Sequence, residues 1–367
     1  RDPEMSRGLG DVYKRQGIAC QSFKRSGGME RYVLDLVEAF SQLGLKPTVF
    51  SRNFDKNLPH YQWIKPVKVN VSWLPSKCRD YWFAKQLEKL KKHYKINLLL
   101  STSRIGCADI AICGGTHIGY LNAIQRKKGF WDNVQVNLEK ALYRNARLVV
   151  AHSEQMSHEI RDFYQIEKEK IHCLYPPVNL NHFSPLSNLD DKKNLRLKMN
   201  LPLNKFLFVY PVGGDFYRKG MPLLKDYFSQ TELPIELLVV GKDFKETFPN
   251  MRYMGYCSDM KTLYQVADFS IMASLYEPFG LIGPESVACG TPLVLSDQVA
   301  CKEVFTDRVC MTFKSNSLSD LSEKISSIIK ESRHSPTQPL STLEIKDSGL
   351  GLLDSPQTHL TKILNLI

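Results

Sequence analysis

Apolar residues along the chain follow two alternating patterns. From Met29 to Phe40 they recur three and four residues apart, which is the period of an amphipathic helix. Short apolar runs at 18–23 and 47–50 flank this segment and are typical of strands. A glycine-rich turn separates the first run from the helix. The order of strand, turn, helix and strand predicts a βαβ unit of a parallel α/β sheet.

The same alternation continues to the end of the chain. It predicts further strands at 96–101, 108–113 and 147–152, with helices at 134–145 and 153–164. After two prolines and a polar stretch at 184–193, it predicts strands at 206–211, 236–240, 269–273 and 292–295, and helices at 222–228, 260–266, 283–288, 318–329 and 358–367. Residues 331–356, rich in Ser, Pro and Gly, are predicted to be a loop. The pattern therefore predicts two doubly wound α/β halves of the chain, joined by a hinge near 180–195.

Length and composition agree with this division. The 367 residues suggest two domains, and 43% hydrophobic with 24% charged residues is ordinary for a globular protein. Residues 1–16 show neither an apolar core nor a clear period, and we interpret them as a foreign leader. We predict an N-terminal domain at 17–185, a C-terminal domain at 186–354, and a final helix at 355–367 that packs back toward the N-terminal domain.

The spacing of the cysteines and the net charge exclude only a few classes of protein function. The nine cysteines contain no Cys-x-x-Cys pair, which favours reduced thiols in a cytoplasmic protein over a disulfide framework or a zinc site. The formal net charge of +11 is compatible with binding to phosphates, nucleic acids or anionic membranes. It is equally compatible with a solvated basic surface that binds none of them. No helix-turn-helix, zinc-finger or RNP pattern supports nucleic-acid binding.

The segment 274–285 carries the strongest chemical signal. It follows a predicted strand and opens a predicted helix, which is where open parallel sheets place their ligands. Glu277 lies in the turn and Glu285 in the first helical turn, so two carboxylates that can accept hydrogen bonds from vicinal diols flank a glycine turn. The alternative is that both glutamates are acids favoured by the helix dipole.

This segment, Glu277-Pro278-Phe279-Gly280-Leu281-Ile282-Gly283-Pro284-Glu285, resembles the E-x7-E motif of the family-4 retaining glycosyltransferases. The resemblance implies a GT-B fold, with two Rossmann-like doubly wound α/β domains facing a central cleft. It implies that Glu277 contacts the donor sugar, that Glu285 holds the ribose, and that the amides of Gly280, Leu281 and Ile282 approach the phosphates of a nucleotide sugar.

A second glycine-rich turn follows the strand at 206–211 and contains Arg218 and Lys219. Alone, either residue would more often be a solvated surface charge. In this position they favour binding of a leaving pyrophosphate without a metal ion. Family members commonly carry an Arg directly after the first glycine, whereas this chain has Gly214. The form of the turn is instead similar to that of bacterial lipopolysaccharide core glucosyltransferases.

The N-terminal half supplies three further candidates. Gly28, in the turn after the first strand, resembles the family's N-terminal glycine loop and is expected at the donor phosphates. His117 follows a Gly-Gly pair at a strand end and resembles the family's G-G-x-H segment, although a lone histidine is more often structural. Asp109 is a candidate for the acceptor side.

The resemblance implies a retaining enzyme that uses no protein nucleophile. The sequence contains no Asp-x-Asp metal motif, so we predict that activity needs no metal. We expect no cofactor beyond the nucleotide-sugar co-substrate, which we expect to be UDP-linked. Basic-aromatic stretches at 82–92 and 125–131 suggest binding to an anionic membrane surface, here the cytoplasmic face of the inner membrane, and a glycan or glycolipid acceptor such as lipopolysaccharide core. The alternative for these stretches is a solvated helix face. We predict no nucleic-acid partner. The alternatives are a non-catalytic glycan-binding relative, a nucleotide-sugar epimerase or a glycan phosphorylase on the same fold.

Overall fold

A computed structural model describes residues 15–331 and 338–367. The expected leader at 1–16 lies almost entirely outside these residues. The described chain forms two compact units: everything up to Pro177 together with Asp354–Ile367, and Val178–Leu353. The chain thus passes from the first unit to the second at Pro177, rather than after residue 185.

The first unit is built on a seven-stranded sheet and a separate two-stranded pair. Its strands are β1 (Gln16–Ala19), β2 (Ser22–Phe23), β3 (Thr48–Ser51), β4 (Asn53–Phe54), β5 (Lys65–Lys68), β6 (Leu98–Ser101), β7 (Ile110–Cys113), β8 (Leu148–Ala151) and β9 (Ile171–Cys173). The large sheet has the order β5-β3-β1-β6-β7-β8-β9 with all strands parallel, and β2 pairs with β4. The inner strands are buried, which explains their continuous apolar runs.

The helices of the first unit are α1 (Gly28–Gln42), α2 (Arg79–His93), α3 (His117–Ala123), α4 (Phe130–Asn145), α5 (Glu154–Tyr164) and, at the C-terminus, α12 (Pro356–Asn365). The last helix packs on α1, and Leu360, Ile363 and Leu364 lie in the same hydrophobic core as Val33 and Leu36. The N-terminal core is therefore completed by residues from the end of the chain.

The second unit has a six-stranded parallel sheet. Its strands are β10 (Phe206–Val212), β11 (Ile235–Gly241), β12 (Met251–Gly255), β13 (Phe269–Met272), β14 (Leu293–Ser296) and β15 (Cys310–Phe313), in the order β12-β11-β10-β13-β14-β15. Its helices are α6 (Leu189–Lys198), α7 (Met221–Gln230), α8 (Met260–Val266), α9 (Ile282–Ala288), α10 (Leu318–Glu331) and α11 (Thr342–Lys346). Both units are Rossmann-like α/β folds, as predicted.

Helices begin within two segments that the sequence pattern assigned to a hinge and to a loop. The expected hinge near 180–195 contains the start of α6, which Asn188 caps by accepting a hydrogen bond from the amide of Asp191. Its buried residues are Lys192 and Arg196, so no apolar period marks the helix. The expected loop at 331–356 contains α11, whose Ser341 and Glu344 form a capping box. Residues 332–337 of that loop lie outside the described part.

Candidate active site

The segment 274–285 joins β13 to α9 at the carboxyl end of the second sheet. Its backbone is tied to the loop after β14, because the amide of Glu277 donates to the carbonyl of Gln298 at 3.1 Å and the amide of Ala300 donates to the carbonyl of Glu277 at 3.0 Å. Glu277 and Val299 form an isolated β-bridge. Glu277 is therefore held by main-chain contacts to the loop after β14.

The carboxylate of Glu277 contacts two basic side chains from the turn after β10. The ammonium of Lys219 donates a hydrogen bond to Glu277 Oε2. Arg218 Nη1 lies 3.7 Å from the same oxygen and donates to the carbonyl of Tyr276 at 2.7 Å. All three side chains are largely buried. The structure thus joins residues 58 positions apart in sequence into one charged cluster.

The two turns that carry this cluster also touch through their backbones. The amide of Leu275 donates to the carbonyl of Arg218 at 2.7 Å. Gly220 has a φ of +79°, and a Cβ built on it would lie 1.9 Å from the carbonyl oxygen of Ala273. Only glycine permits both this backbone conformation and this approach. The position of Lys219 relative to Glu277 therefore depends on its glycine neighbour.

Glu285 lies in α9 and is 5% exposed. Its Oε2 accepts a hydrogen bond of 2.9 Å from the hydroxyl of Tyr264 in α8. Gly280 has a φ of +97°, Leu281 caps α9, and Ile282 is the first residue of that helix. The structure thus places Glu277, Glu285 and the Gly280 turn on one short segment of the second unit.

In the first unit, the glycine turn before α1 and the start of α3 meet at the carboxyl end of the sheet. A Cβ built on Gly114, after β7, would lie 2.0 Å from Met29 Sδ, so glycine at this position leaves room for the Met29 side chain, next to Gly28 at the start of α1. His117 begins α3, its amide donates to Glu139 Oε2 at 2.9 Å, and its Nε2 lies 2.8 Å from Asp132 Oδ1. Gly28 and His117 are therefore on the same edge.

The expectation that Asp109 belongs to this site is wrong. Asp109 precedes β7 and so lies at the opposite, amino-terminal edge of the sheet from His117. Its Oδ2 accepts hydrogen bonds from Lys91 Nζ at 2.7 Å and from the amide of Leu99 at 2.8 Å. Asp109 thus fastens α2 to the strand β6 and has a structural role.

No group of three or more His, Cys, Asp or Glu side chains within 15–331 and 338–367 is arranged to hold a metal ion. In the same ranges, none of the helices combines the length and apolar character needed to cross a bilayer.

Sequence comparison decides the family. The model of Glycosyltransferase Family 4 matches residues 26–182, and that of Glycosyl transferases group 1 matches residues 191–338. The chain is a family-4 glycosyltransferase. A probable transglycosylase of Burkholderia thailandensis is 38% identical to it over 81% of each chain. The mannosylfructose-phosphate synthase of Agrobacterium fabrum is 24% identical over 74% of this chain and 71% of that protein.

Solved structures place this glycosyltransferase in the GT-B fold. WaaG, a glycosyltransferase involved in lipopolysaccharide biosynthesis, superposes with a TM-score of 0.80 at 14% identity, over 96% of this chain and 99% of that one. HepE of Anabaena, crystallised with UDP and glucose, superposes with a TM-score of 0.73 at 16% identity, over 96% of this chain and all of that one. Both comparisons cover the two units.

The sequence pattern did not identify two residues that lie near the candidate donor-binding residues of the glycosyltransferase. Tyr264, the partner of Glu285, is hidden within an ordinary helical pattern. Lys242 directly follows β11, and its Nζ lies 3.9 Å from the place that a Cβ on Gly214 would occupy. The position of Lys242 after a strand was the signal that could have found it.

Proposed function

We propose that this glycosyltransferase moves a hexose from a UDP-linked sugar to a cell-envelope glycan, such as lipopolysaccharide core, with retention of anomeric configuration and without a metal ion. The main support for the donor proposal is that Lys219 contacts the carboxylate of Glu277 and that Arg218 lies close to the same oxygen. It combines cations suited to a diphosphate with an acceptor suited to sugar hydroxyls.

In this proposal the second unit binds the donor. Lys219 and Arg218 contact the phosphates, together with the amides of Gly280, Leu281 and Ile282. Glu277 accepts hydrogen bonds from sugar hydroxyls, and Glu285 accepts them from the ribose. The solved complexes of HepE with UDP, and with UDP-glucose, support a uridine nucleotide.

The proposed chemistry needs no protein nucleophile. The leaving phosphate accepts the proton of the acceptor hydroxyl, on the same face of the sugar from which it departs. Lys219 and Arg218 stabilise the charge that develops on that phosphate, which is the role a divalent cation has in other transferases. Activity that disappears with EDTA and returns with Mg²⁺ or Mn²⁺ would contradict metal independence.

We further propose that the first unit contacts an anionic membrane surface at the cytoplasmic face of the inner membrane. Trp73 and Phe130 are 64% and 74% exposed, and their rings lie 5.6 Å from Trp82 and 5.3 Å from Trp131. Basic residues at 126–128 flank the second pair. Aromatic rings favour the interface, and each nearby Lys or Arg contributes about 1 kcal/mol on anionic lipid.

Cosedimentation with vesicles tests the membrane proposal. Wild type is expected to sediment with phosphatidylglycerol vesicles at low salt but not with phosphatidylcholine vesicles, and the double variant Trp73→Ser, Phe130→Ser is expected to lose this binding. Equal sedimentation of both proteins would remove the support for an aromatic contact.

Ligand-induced thermal stabilisation tests the donor proposal, because a ligand that binds only the folded state raises its stability. UDP, UDP-glucose, UDP-galactose, GDP-mannose and ADP-glucose are compared on wild type, Lys219→Met and Glu285→Gln. Glu246→Gln is the matched control, since Glu246 is an exposed carboxylate of the same unit that pairs with Lys225. We expect stabilisation by uridine nucleotides that both site variants lose and the control keeps. Stabilisation by nucleotides of another nucleoside alone would overturn the uridine assignment.

Retention is tested separately. The anomeric proton signals of the product show whether the transferred sugar keeps the anomeric configuration that it has in the donor.

A further inference from the structure

The side chain of His117 is oriented by a carboxylate that the sequence did not single out. Asp132, in the first turn of α4, places Oδ1 at 2.8 Å from His117 Nε2 and at 2.7 Å from Arg126 Nη2. Its Oδ2 accepts a hydrogen bond of 2.8 Å from the amide of Gly129. One carboxylate therefore contacts a helix cap, a guanidinium and an imidazole.

These contacts determine which nitrogen of His117 carries a hydrogen. The hydrogen bond from the Gly129 amide, together with that from His117, lowers the pKa of Asp132, so its carboxylate is ionised near neutral pH. An ionised carboxylate can only accept hydrogen bonds. Nε2 of His117 must therefore be the donor, which leaves Nδ1 of the neutral ring as an acceptor.

The backbone of His117 is fixed as firmly as its ring. Its amide donates to Glu139, a carboxylate that is 1% exposed and that Arg104 also contacts at 2.7 Å. The His117 side chain is 14% exposed. Both ends of the residue are thus held at the carboxyl edge of the first sheet, while part of the ring remains accessible.

We propose that Asp132 is a positioning residue that holds His117 as its Nε2–H tautomer and so presents Nδ1 to a substrate hydroxyl. The hydroxyl belongs to the acceptor glycan. This inference rests on the proposed glycosyl transfer and adds to it a specific role for a residue in the first unit. It differs from a purely structural role, in which Asp132 only caps α4.

The ¹⁵N chemical shifts of the histidine ring nitrogens report the tautomer directly. His117→Asn identifies the signals of His117 among those of the nine histidines. Asp132→Asn keeps an oxygen for the Gly129 amide but offers an NH2 group toward His117 Nε2. We expect wild type to show the Nε2–H tautomer and Asp132→Asn to shift toward Nδ1–H. Arg126→Gln, which removes the other partner of Oδ1, should leave the tautomer unchanged.

Kinetics provide the second measurement. Asp132→Asn is expected to lower kcat roughly 10- to 100-fold, by analogy with carboxylates that orient metal-ligating histidines, with unchanged UDP affinity and an unchanged melting temperature. Asp162→Asn, an exposed carboxylate of α5, serves as the control for activity.

The results separate this inference from the proposed function. An Nδ1–H tautomer in wild type, or an Asp132→Asn enzyme with unchanged tautomer or unchanged kcat, would overturn the inference and leave glycosyl transfer intact. A wild type that binds no nucleotide and transfers no sugar would instead refute the proposed function, and the inference with it, whatever the tautomer.

Discussion

The backbone of Gly220 lies so close to the carbonyl oxygen of Ala273 that a side chain at position 220 would clash with it. A Cβ on Gly220 would lie 1.9 Å from the Ala273 carbonyl oxygen, and its φ of +79° is in the left-handed region. This approach joins the turn that carries Lys219 to the strand end that leads to Glu277.

Gly220→Ala is therefore expected to destabilise the second unit by about 2–5 kcal/mol, from backbone strain and overpacking together. Urea unfolding measures the loss. Gly213→Ala is the matched control, because Gly213 is in the same turn and a Cβ there has no atom within 4 Å. If both variants unfold at the same urea concentration as wild type, the close approach has no energetic importance.

Lys242 is expected to strengthen nucleotide binding, because its ammonium lies above the Gly214 turn. Lys242→Gln should weaken UDP binding roughly 10- to 100-fold, since a hydrogen bond to a charged group contributes about 1.5–3 kcal/mol. Calorimetric titration with UDP measures the change. Lys245→Gln removes the same charge three positions later, from another exposed site, and should bind UDP as wild type does.

Asp268 is expected to be essential to the stability of the second unit. Its fully buried carboxylate contacts Lys192 Nζ at 2.8 Å, Arg196 Nη2 at 2.6 Å and the amide of Leu207 at 2.8 Å. Although burial disfavours a charged carboxylate, the two cations keep the pKa of Asp268 below its ordinary value.

Asp268→Asn removes the negative charge that contacts two buried cations and should cost about 3–5 kcal/mol. Asp190→Asn, at an exposed ion pair of the same helix α6, should change stability by less than about 0.5 kcal/mol. Chemical denaturation of both variants would test this, and equal stabilities would contradict it.

The first unit is expected to lose stability between pH 6.5 and 4.5. Burial lowers the pKa of His152 to about 3 and that of His359 to about 4. The unfolded chain therefore binds protons below pH 6.5 while the folded chain does not, and stability present above pH 6.5 falls as the pH decreases. The folded carboxylates Asp132 and Asp268, with lowered pKa values, remain ionised in this range.

Each of these histidines should lower the unfolding free energy by about 1.4 kcal/mol per pH unit in this window. Urea denaturation at pH 7.5 and 5.0 measures the difference. His359→Gln should reduce the pH dependence, because it removes one of the two buried imidazoles. That imidazole lies inside the same core, with Nε2 2.9 Å from the hydroxyl of Tyr32. An unchanged pH dependence in that variant would assign the effect to other groups.

Apolar periodicity was sufficient to predict the α/β class and the inner strands of both sheets, because those strands are buried on both faces. It failed where charged side chains are buried, as in α6, whose inward residues Lys192 and Arg196 resemble a solvated face. It also missed the edge strands β5 and β12, which are too exposed to form apolar runs.

The sequence identified most of the candidate site as separate segments but could not give the contacts among them. Lys219 and Glu277 were each found from a glycine turn, while their pairing depends on two neighbouring strands, β10 and β13. Asp109 was misplaced because an apolar run does not show at which edge of the sheet a flanking residue lies. Asp132 was missed because its importance comes from its contact with His117.

The return of helix α12 to the first unit has a consequence for synthesis of the protein. The ribosome produces β1 to β9 first, yet Leu360, Ile363 and Leu364 of their core are made only after the whole second unit. The second unit is contiguous and can fold as soon as residue 353 has left the exit tunnel. The unit whose translation begins first thus completes its core only after the whole second unit has been made, when residues 360–364 can pack on α1.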